Sequence, residues 1–328
     1  MPRAWHLMRR PDGLPTSEDF ALKELELPPL GEGMVHVRNL WLSVDPYMRG
    51  RMNESKSYIP PFELDAPMEG GAVGEVVESR VDGFAPGDLV SHFAGWRDEA
   101  VVPAKAVTKL PDLGVEPQAF LGNLGMPGAT AYFGLLDAAQ ARQGDIVFVS
   151  AAAGAVGSAV VQIAKARGMT VVGSAGAAEK CDFVRSLGAD AAIDYRAGPI
   201  LSSLREAAPD GIDVYFDNVG GDHLDAAFAR ARLHARFALC GMIAGYNSRD
   251  PMQFRYIIRM IAMRITMRGF LYGDYVSRLD EFHRDMGEWV ASGKVKAHET
   301  VFEGLDKTAD AFLGLFTGAN TGKMLVRV

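Results

Sequence analysis

Between about residue 145 and residue 240 the chain alternates between short β-branched runs and longer alanine-rich segments with helical periodicity. The runs are DIVFVS, TVVGS, AAIDY, DVYFDNV and RFALCG, and the segments between them are SAVVQIAKARG, EKCDFVRSLG, PILSSLREAA and HLDAAFARARL. Strands that alternate with helices form right-handed βαβ units, which place the strands in one parallel sheet. This part of the chain is therefore predicted to be a doubly wound α/β domain.

The flanking segments have a different texture. Up to about residue 122 the sequence has extended runs such as MVHVRNLWLSVD and AVGEVVES, separated by glycine- and proline-rich turns such as DGFAPGD. Near the C-terminus the pattern predicts a long amphipathic helix over 274–293, a strand over 297–302, a helix over 306–317 and a final strand in GKMLVRV. The tail thus resembles the first segment, and 328 residues suffice for about two domains.

Charge and cysteine content exclude several classes of function. Lys and Arg total 34 against 41 Asp and Glu, and no basic run marks a nucleic-acid partner. The only cysteines, Cys181 and Cys240, are too few for a disulfide framework or a four-cysteine zinc lobe.

The N-terminus lacks an apolar signal core, and three arginines interrupt the most membrane-like segment, 256–271. A cytoplasmic protein with no membrane partner is expected.

The stretch VSAAAGAVGSAVVQIAKARG follows a predicted strand and opens a predicted helix. It approaches the dinucleotide fingerprint, with Ala152 at the first glycine position and Gly154 and Gly157 at the second and third. Alanine is acceptable there if its φ is negative. The amides that begin the helix then face a pyrophosphate. Helix–sheet packing by small residues is the alternative, but the strand–loop–helix context favours nucleotide binding.

The end of the second strand indicates which nucleotide binds. An acidic residue there would pair with the ribose 2′-hydroxyl of NAD and repel a 2′-phosphate. Here Gly173, Ser174 and Ala175 occupy the strand end, and the first acid is Glu179. The missing acid also disfavours a methyltransferase-like cofactor site. NADP is therefore predicted, with Lys180 as a point charge for its 2′-phosphate. The same spacing is equally typical of a helix lysine that only faces solvent.

Seven segments carry a resemblance to a known family over nearly the whole chain. They are LSVDPYMRGRMN (42–53), MPGATAYFGL (126–135), AAAGAVGS (151–158), EKC (179–181), DVYFDNVGG (213–221), CGMIAGYN (240–247) and GANTGK (318–323). The chain resembles the zinc-independent medium-chain reductases, which include prostaglandin reductases, leukotriene hydroxydehydrogenase and bacterial NADPH-dependent alkenal or curcumin reductases. The combination of VDPYMR with CGxIxxYN is specific to this branch, whereas AxxGxxG is widely shared.

The resemblance implies a particular architecture. A GroES-like, partly open β-barrel substrate domain is expected from residues 1–122, completed by 298–328. A Rossmann NADP-binding domain is expected between them, over 123–297. The resemblance also implies a homodimer joined through edge strands near 265–272.

The same resemblance implies a set of cofactor-binding residues. Lys180 is expected at the 2′-phosphate, and the nicotinamide side is expected near the segments 240–246 and 270–272. The full set is Gly154, Ala155, Val156, Gly157, Lys180, Tyr195, Asn218, Cys240, Tyr246, Phe270, Tyr272 and Asn320. For Cys240 and Phe270, burial at a strand end is an equal alternative.

Zinc alcohol dehydrogenases share this fold, so the metal question depends on particular residues. Met68, next to Glu69, occupies the position of the histidine ligand in the zinc enzymes, and no cysteine precedes Cys181 to supply their first thiolate ligand. A thioether does not replace imidazole on Zn²⁺. No metal is expected.

Without a Lewis acid, reduction of an activated alkene is easier to explain than oxidation of an alcohol. Hydride addition to the β-carbon of a small apolar enone or enal places negative charge on the carbonyl oxygen, which needs a donor, and the α-carbon needs a proton. Tyr246, from the resemblance, and Tyr58 are the candidate hydroxyls. Trp96 is a candidate substrate wall. The alternative for each tyrosine is that it only lines an apolar wall, and the alternative for Trp96 is that it only packs in the core.

Two other functions fit the same sequence. A quinone reductase would use the same cofactor and a metal-free cleft. A pyridine-nucleotide-binding protein with a structural or sensing role would bind NADPH with little turnover.

Overall fold

A computed structural model describes residues 1–328. The chain divides into two compact units. The antiparallel unit comprises residues 1–121, 299–320 and 324–328, and the parallel unit comprises 122–298 and 321–323. The sequence of the first unit is thus interrupted by the second.

The strands are β1 Arg3–Leu7, β2 Phe20–Glu24, β3 Met34–Ser43, β4 Ala72–Ser79, β5 Leu89–His92, β6 Glu99–Pro103, β7 Thr108–Lys109, β8 Ile146–Val149, β9 Thr170–Ala175, β10 Ala191–Asp194, β11 Ile212–Asp217, β12 Ala231–Leu239, β13 Thr266–Gly269, β14 Glu299–Glu303 and β15 Lys323–Arg327. The α-helices are α1 Met48–Arg51, α2 Met126–Phe133, α3 Ala155–Ala166, α4 Ala178–Ser186, α5 Ile200–Ala207, α6 Gly221–Arg230, α7 Arg259–Met263, α8 Leu279–Ala291 and α9 Thr308–Thr317.

The parallel unit contains a six-stranded sheet in the order β10-β9-β8-β11-β12-β13, and every neighbouring pair runs parallel. Numbered from β8, this is the 3-2-1-4-5-6 order of a dinucleotide-binding fold. The strand order reverses between β8 and β11, so a crevice is expected at the carboxyl ends of these two strands.

Burial on both faces explains why the sequences of these strands are continuous apolar runs rather than an alternation of apolar and polar residues. Val147, Phe148 and Val149 of β8 have no accessible surface, and neither have Tyr215 and Phe216 of β11. A parallel sheet covered by helices on both faces buries successive side chains on opposite sides. The polar ends of β8 and β11 are therefore the exceptions in an apolar layer.

The antiparallel unit contains a sheet in the order β14-β15-β3-β4-β5-β7, with β6 also paired to β3 and a separate pair β1-β2. Its largest core cluster includes Leu42, Met48, Met68, Trp96 and Phe312. Leu325 of β15 pairs with Ser43 of β3, so the chain's last strand completes the sheet begun by its first segment.

The predicted fold class is confirmed, with a parallel Rossmann sheet in one unit and an antiparallel sheet in the other. The predicted helix over 274–293 consists of a 3-10 helix, Tyr272–Arg278, followed by α8. The apolar segment 256–271 contains α7 and β13. None of the helices combines the length and the apolar character that crossing a membrane requires.

Candidate functional site

The loop between β8 and α3 turns at Ala151, whose φ of +48° lies in the left-handed region. Ala152 is not among the residues with positive φ, and its amide donates to the carbonyl oxygen of Ser174 on β9 (2.8 Å). Ala152 therefore has the ordinary backbone that an alanine requires at the first glycine position. The left-handed turn lies one residue earlier than the fingerprint suggests.

The two glycines of the loop allow its backbone to close tightly. A Cβ at Gly157 would lie 2.2 Å from the carbonyl oxygen of Ala151, a separation that neither backbone can accept. A Cβ at Gly154 would lie 3.3 Å from the same oxygen, which is tight but closer to tolerable. Gly157 is thus the residue that lets α3 start directly behind the strand.

The start of α3 fits an anionic group. Gly154 is its N-cap and no side chain caps the helix, so the amides of Ala155 and Val156 have neither an intrahelical nor a side-chain partner. The helix dipole adds positive potential at this end. A backbone cradle that a Cβ would fill, together with uncapped amides, matches the requirements of a pyrophosphate.

The C-terminal segment fixes this loop from the other side. The amide of Gly322 donates to the carbonyl oxygen of Ala153 (2.7 Å), and Gly154 and Gly322 form an isolated parallel bridge. Gly322 has a φ of +70°, and a Cβ there would lie 1.9 Å from the carbonyl oxygen of His298. The second glycine of GANTGK is therefore a backbone requirement.

Two cationic side chains lie near the end of the second strand. Lys180 is the third residue of α4, and Arg196 follows β10. Burial lowers the pKa of the Lys180 ammonium, and the nearby Arg196 guanidinium lowers it further. Because the Arg196 charge lies close enough to oppose protonation of Lys180, added negative charge at this place is favourable. No acidic residue stands at the end of β9, as the sequence shows.

Tyr195 lies at the same edge of the sheet. Its amide donates to the carbonyl oxygen of Ala175 (3.1 Å), and its ring meets His223 edge to face at 5.0 Å. A Cβ at Gly176 would lie 2.7 Å from the Tyr195 hydroxyl oxygen. Gly176 therefore makes room for the Tyr195 ring at the carboxyl end of β9.

At the carboxyl end of β11, Asp217 organises the following turn. Its Oδ1 accepts hydrogen bonds from the amides of Val219 (2.9 Å) and Gly220 (2.8 Å) and from the Tyr215 hydroxyl (2.7 Å). Its Oδ2 is buried without a hydrogen-bond partner, and burial raises the pKa of the carboxyl. The carboxylate thus holds the turn that carries Asn218.

Ser150 joins the ends of β8 and β11. Its Oγ accepts from the Asn218 amide (2.9 Å) and lies 3.1 Å from the hydroxyl oxygen of Tyr215, whose proton is directed to Asp217. The side-chain amide of Asn218 donates to the Ser150 carbonyl oxygen (2.8 Å). The structure therefore places Asn218 at the switch point of the sheet, next to the glycine loop.

The segment after β12 folds back over the same edge. The amides of Cys240 (2.9 Å) and Gly241 (3.0 Å) donate to the Asp217 carbonyl oxygen. Burial and the Asp217 carboxylate raise the pKa of the Cys240 thiol to about 12, so this thiol is protonated at neutral pH. A Cβ at Gly241 would lie 2.9 Å from the Tyr246 hydroxyl oxygen, so Tyr246 packs directly against the Gly241 backbone.

Phe270 and Tyr272 follow β13, the next strand of the sheet. Phe270 is 7% exposed and meets Phe216 and Tyr275 edge to face, at 6.1 Å and 6.4 Å. Tyr272 begins a 3-10 helix, and burial raises the pKa of its hydroxyl. Phe270 therefore has the packing of a core residue, while Tyr272 has a polar group at the carboxyl edge.

Three predicted site residues belong to the antiparallel unit. Tyr58 is 63% exposed in a loop after α1, and Asn320 follows α9. The structure corrects the expectation for Trp96, which has no accessible surface and packs against Phe20 (6.1 Å) and Phe312 (5.7 Å). A ring enclosed by core residues is not a wall open to substrate, and Trp96 is a packing residue.

The position that zinc enzymes use for a metal ligand has a different environment here. Met68 is completely buried in the apolar core, and Glu69 forms an ion pair with Arg51 (2.9 Å). The structure contains no cluster of three or more His, Cys, Asp or Glu side chains suited to a metal ion. The Met68 and Glu69 side chains thus have structural partners of their own.

Sequence reasoning missed Arg196, Asp217, Ser150 and Gly241. The first three had a signal in the sequence: Arg196 is a cation directly after a strand-end tyrosine, and Asp217 is an acid that ends an apolar strand. Ser150 is a polar residue directly after the apolar strand β8. Gly241 had no signal beyond its motif, because the close approach of Tyr246 depends on how the segment after β12 folds back.

Two family sequence patterns match the chain. One, described as the N-terminal domain of oxidoreductase, matches residues 3–110, and the other, described as zinc-binding dehydrogenase, matches residues 155–292.

Individual relatives match the chain over almost its whole length. It is 45% identical to a putative NADP-dependent oxidoreductase of Bacillus subtilis (strain 168), covering 98% of this chain and 96% of that protein. It is 41% identical to the NADPH-dependent curcumin reductase of Escherichia coli (strain K12), covering 99% and 96%. The crystal structure of CurA from Vibrio vulnificus in complex with NADPH is similar with a TM-score of 0.95, at 41% identity and 99% coverage of both chains.

Proposed function

The chain belongs to the zinc-independent branch of the medium-chain dehydrogenase/reductase family, and from this premise we propose that it reduces the carbon–carbon double bond of α,β-unsaturated ketones and aldehydes with NADPH. The observation that carries the proposal is the nucleotide site of the parallel unit. It combines an uncapped helix N-terminus behind Gly157 with two cations beyond a strand that ends without an acid. A relative named as an NADPH-dependent curcumin reductase supports the substrate class.

Different residues of the parallel unit are proposed to bind different parts of the cofactor. The amides of Ala155 and Val156 hold the pyrophosphate, and Lys180 with Arg196 holds the 2′-phosphate. Tyr195 lies between Gly176 and His223 at the same edge and contacts the adenosine end. Asn218, Cys240, Tyr246, Phe270 and Tyr272 are proposed for the nicotinamide end, and Asn320 of the antiparallel unit is proposed as a further contact.

When bound, NADPH supplies a hydride to the β-carbon of the unsaturated carbonyl compound. The chain's own task is to stabilise the charge that develops on the carbonyl oxygen and to deliver a proton to the α-carbon. Tyr246, held against Gly241, is the proposed donor from the parallel unit, and the exposed Tyr58 is the candidate from the antiparallel unit. No step in this scheme needs a metal ligand from the chain.

A cofactor-oxidation assay tests the proposal against its alternatives. We expect NADPH-dependent turnover of simple enals and enones, retained after exhaustive chelation, with the saturated carbonyl compound as product. A preference for quinones would indicate a quinone reductase instead. Tight NADPH binding without turnover of either class would indicate a structural or sensing role, and loss of turnover on chelation that zinc restores would contradict the metal-free scheme.

The proposed partner is a second copy of the chain. All four residues of the edge strand β13 are exposed, and nearby Ile258 and Ile261 are 68% and 76% exposed. An open strand edge beside exposed apolar side chains is suited to pairing with another chain. Light scattering should give a dimer for the wild type and a monomer for Ile261→Glu; a monomeric wild type would refute this.

The proposed location is the cytoplasm. Both cysteines are free thiols, and the only two in the chain are not paired with each other. Free thiols are typical of a reducing compartment. Fractionation of the producing cells should recover the protein with cytoplasmic markers, and recovery with envelope or secreted fractions would contradict the proposal.

A further inference from the structure

One carboxylate of the parallel unit, that of Asp137, receives hydrogen bonds from both sides of the segment 269–274. Before the segment, Nη1 of Arg268 in β13 donates to Oδ1 (3.0 Å). After it, the Tyr275 hydroxyl donates to Oδ1 (3.2 Å), and Nη1 of Arg278 donates to Oδ2 (2.5 Å). Both ends of a segment that contains two of the residues proposed for the nicotinamide end are therefore anchored to one side chain.

Asp137 belongs to a π-helical turn, Gly134–Ala138, that follows α2. The amide of Ala139 donates to the Gly134 carbonyl oxygen (2.9 Å), which is the hydrogen bond of a π turn. A Cβ at Gly134 would lie 2.3 Å from the Phe270 ring, so the same turn also packs directly against the segment. Turns of this kind are rare and occur frequently at functional sites.

The 3-10 helix Tyr272–Arg278 needs support from outside itself. Its seven residues exceed the three or four that are usual for such helices, whose hydrogen bonds have poor geometry. With about three residues per turn, Tyr272, Tyr275 and Arg278 form one row along it. The second and third members of this row are bound to Asp137. Asp137 thus fixes the orientation of the helix that begins with Tyr272.

The contacts of Asp137 contribute little to the stability of the fold. The side chains of Asp137, Arg268 and Arg278 are 27%, 49% and 42% exposed, and ion pairs between partly exposed groups are weak. Burial alone would raise the pKa of the Asp137 carboxyl, but the hydrogen bonds from Arg278 and Tyr275 hold it below its ordinary value. The charged group is therefore suited to fixing the geometry of a segment, and its loss should leave the unit folded.

We propose that Asp137 is a positioning residue for hydride transfer, which holds the segment 269–274 so that Tyr272 meets the nicotinamide ring of NADPH. The inference rests on the proposed function and adds to it a residue that acts through Tyr272. The residues proposed for the phosphates of the cofactor lie on other elements, at the starts of α3 and α4. Loss of Asp137 should therefore misplace the nicotinamide and leave the adenosine end bound.

Two ligands separate the two ends of the cofactor. 2′,5′-ADP carries the adenosine and the 2′-phosphate but no nicotinamide. Asp137→Ala should bind 2′,5′-ADP as the wild type does, while its affinity for NADPH falls by roughly twofold to tenfold and the fluorescence emission of bound NADPH shifts toward that of the free cofactor. With 2-octenal as substrate, kcat should fall by about tenfold to a hundredfold, because hydride transfer depends steeply on placement.

Asp145→Ala is the matched control. Asp145 also accepts from an arginine side chain, that of Arg236 (2.8 Å), and from the Arg142 amide (2.6 Å), but it precedes β8 and lies at the amino end of that strand. This variant should leave the NADPH emission and kcat unchanged. Tyr275→Phe keeps the test interpretable if Asp137→Ala fails to fold, because it removes one donor to Asp137 and should give a smaller change of the same kind.

A double variant tests whether the contacts act as one unit. Arg268→Met combined with Asp137→Ala should be no more impaired than Asp137→Ala alone. Unchanged NADPH emission and kcat in Asp137→Ala, an equal loss of affinity for 2′,5′-ADP, or the same changes in Asp145→Ala would overturn the proposal. Absence of enal turnover in the wild type would defeat the proposed function, while the comparison of NADPH with 2′,5′-ADP still tests the role of Asp137.

Discussion

The hydroxyl of Tyr215 donates a 2.7 Å hydrogen bond to Oδ1 of Asp217, two residues further along β11, and both side chains have no accessible surface. The same oxygen accepts from two amides of the following turn, Val219 and Gly220. One buried carboxylate therefore connects the sheet interior to the loop that carries Asn218. This arrangement makes the turn part of the core rather than a mobile surface loop.

We expect Asp217→Ala to destabilise the protein strongly. It would leave the amides of Val219 and Gly220 without an acceptor and the Tyr215 hydroxyl with only the longer contact to Ser150, at about 1–3 kcal/mol for each group that water cannot reach. Asp217→Asn keeps an oxygen acceptor in the same place and should cost much less. Urea denaturation and NADPH titration of both variants check this, and equal stability of the two would show that the turn is held by other contacts.

Gly157→Ala should damage the nucleotide site more than Gly154→Ala. The new methyl group would lie 2.2 Å from the Ala151 carbonyl oxygen in the first case and 3.3 Å in the second. Overpacking of this kind costs typically 1–3 kcal/mol, because α3 must move away from the loop. Gly287→Ala on α8 is the control, since nothing lies within 4 Å of its added Cβ.

NADPH affinity and thermal stability of the three glycine variants give the measurement. Gly157→Ala should lose both, Gly154→Ala should lose little stability, and Gly287→Ala should be as stable as the wild type or more so. Retention of full NADPH affinity in Gly157→Ala would contradict the position assigned to the pyrophosphate.

Long-range and short-range features of this molecule differ in how far the sequence predicts them. The parallel sheet follows from the alternation of apolar runs with helices, because right-handed crossovers place such strands in one sheet. Its strand order does not, because the same alternation fits more than one doubly wound order. Gly157 was predicted from its spacing alone. Trp96 was not, because neither its left-handed φ of +60° nor its enclosure by Phe20 and Phe312 is visible in local sequence. The same holds for Arg196, which reaches Lys180 only through the fold.

Lys180→Ala should remove much of a preference for NADPH over NADH. A charge-assisted hydrogen bond is worth about 1.5–3 kcal/mol, or roughly tenfold to a hundredfold in affinity. NADH binding should be nearly unchanged, since it has no 2′-phosphate. Arg196→Ala should have a smaller effect of the same kind. Equal weakening of both cofactors in Lys180→Ala would make Lys180 a packing residue.

The preference for NADPH over NADH should also depend on pH. The pKa of Lys180 lies below its ordinary value because of burial and Arg196, and only the protonated ammonium attracts the phosphate. As pH rises through that lowered pKa, NADPH affinity should fall while NADH affinity stays level. Titrations of both cofactors across the alkaline range measure this, and the pH dependence should be weaker in Lys180→Ala.

Tyr246→Phe should lower kcat for enone reduction. A positioned proton donor contributes about a hundredfold to ten-thousandfold, whereas contact with a cofactor ribose alone contributes less. Gly241→Ala offers an independent route to the same group, because its methyl would lie 2.9 Å from the Tyr246 hydroxyl oxygen and displace it. Both variants should lose kcat, and unchanged kcat with unchanged NADPH affinity in Tyr246→Phe would remove Tyr246 from the mechanism.

The last prediction concerns acid stability and rests on His223. Burial lowers its pKa to about 4, and nearby Asp222 opposes this only weakly. Its Nε2 is buried without a hydrogen-bond partner, and it is the third residue of α6, where the helix dipole disfavours a cation. The folded protein therefore holds this imidazole neutral.

In the unfolded chain the same imidazole protonates near pH 6.5. Its neutral form thus contributes stability that is complete above that pH and is lost as pH falls toward 4, a loss of about 2 kcal/mol by pH 5.

His223→Phe keeps a flat ring against Phe148 and Tyr195 but cannot titrate. The variant should match the wild type closely at pH 8 and exceed its melting temperature at pH 5, as calorimetry would show. His92, buried with its pKa also lowered to about 4, will leave part of the acid sensitivity in place. A melting temperature that falls equally with pH in variant and wild type would mean that His223 is not held neutral.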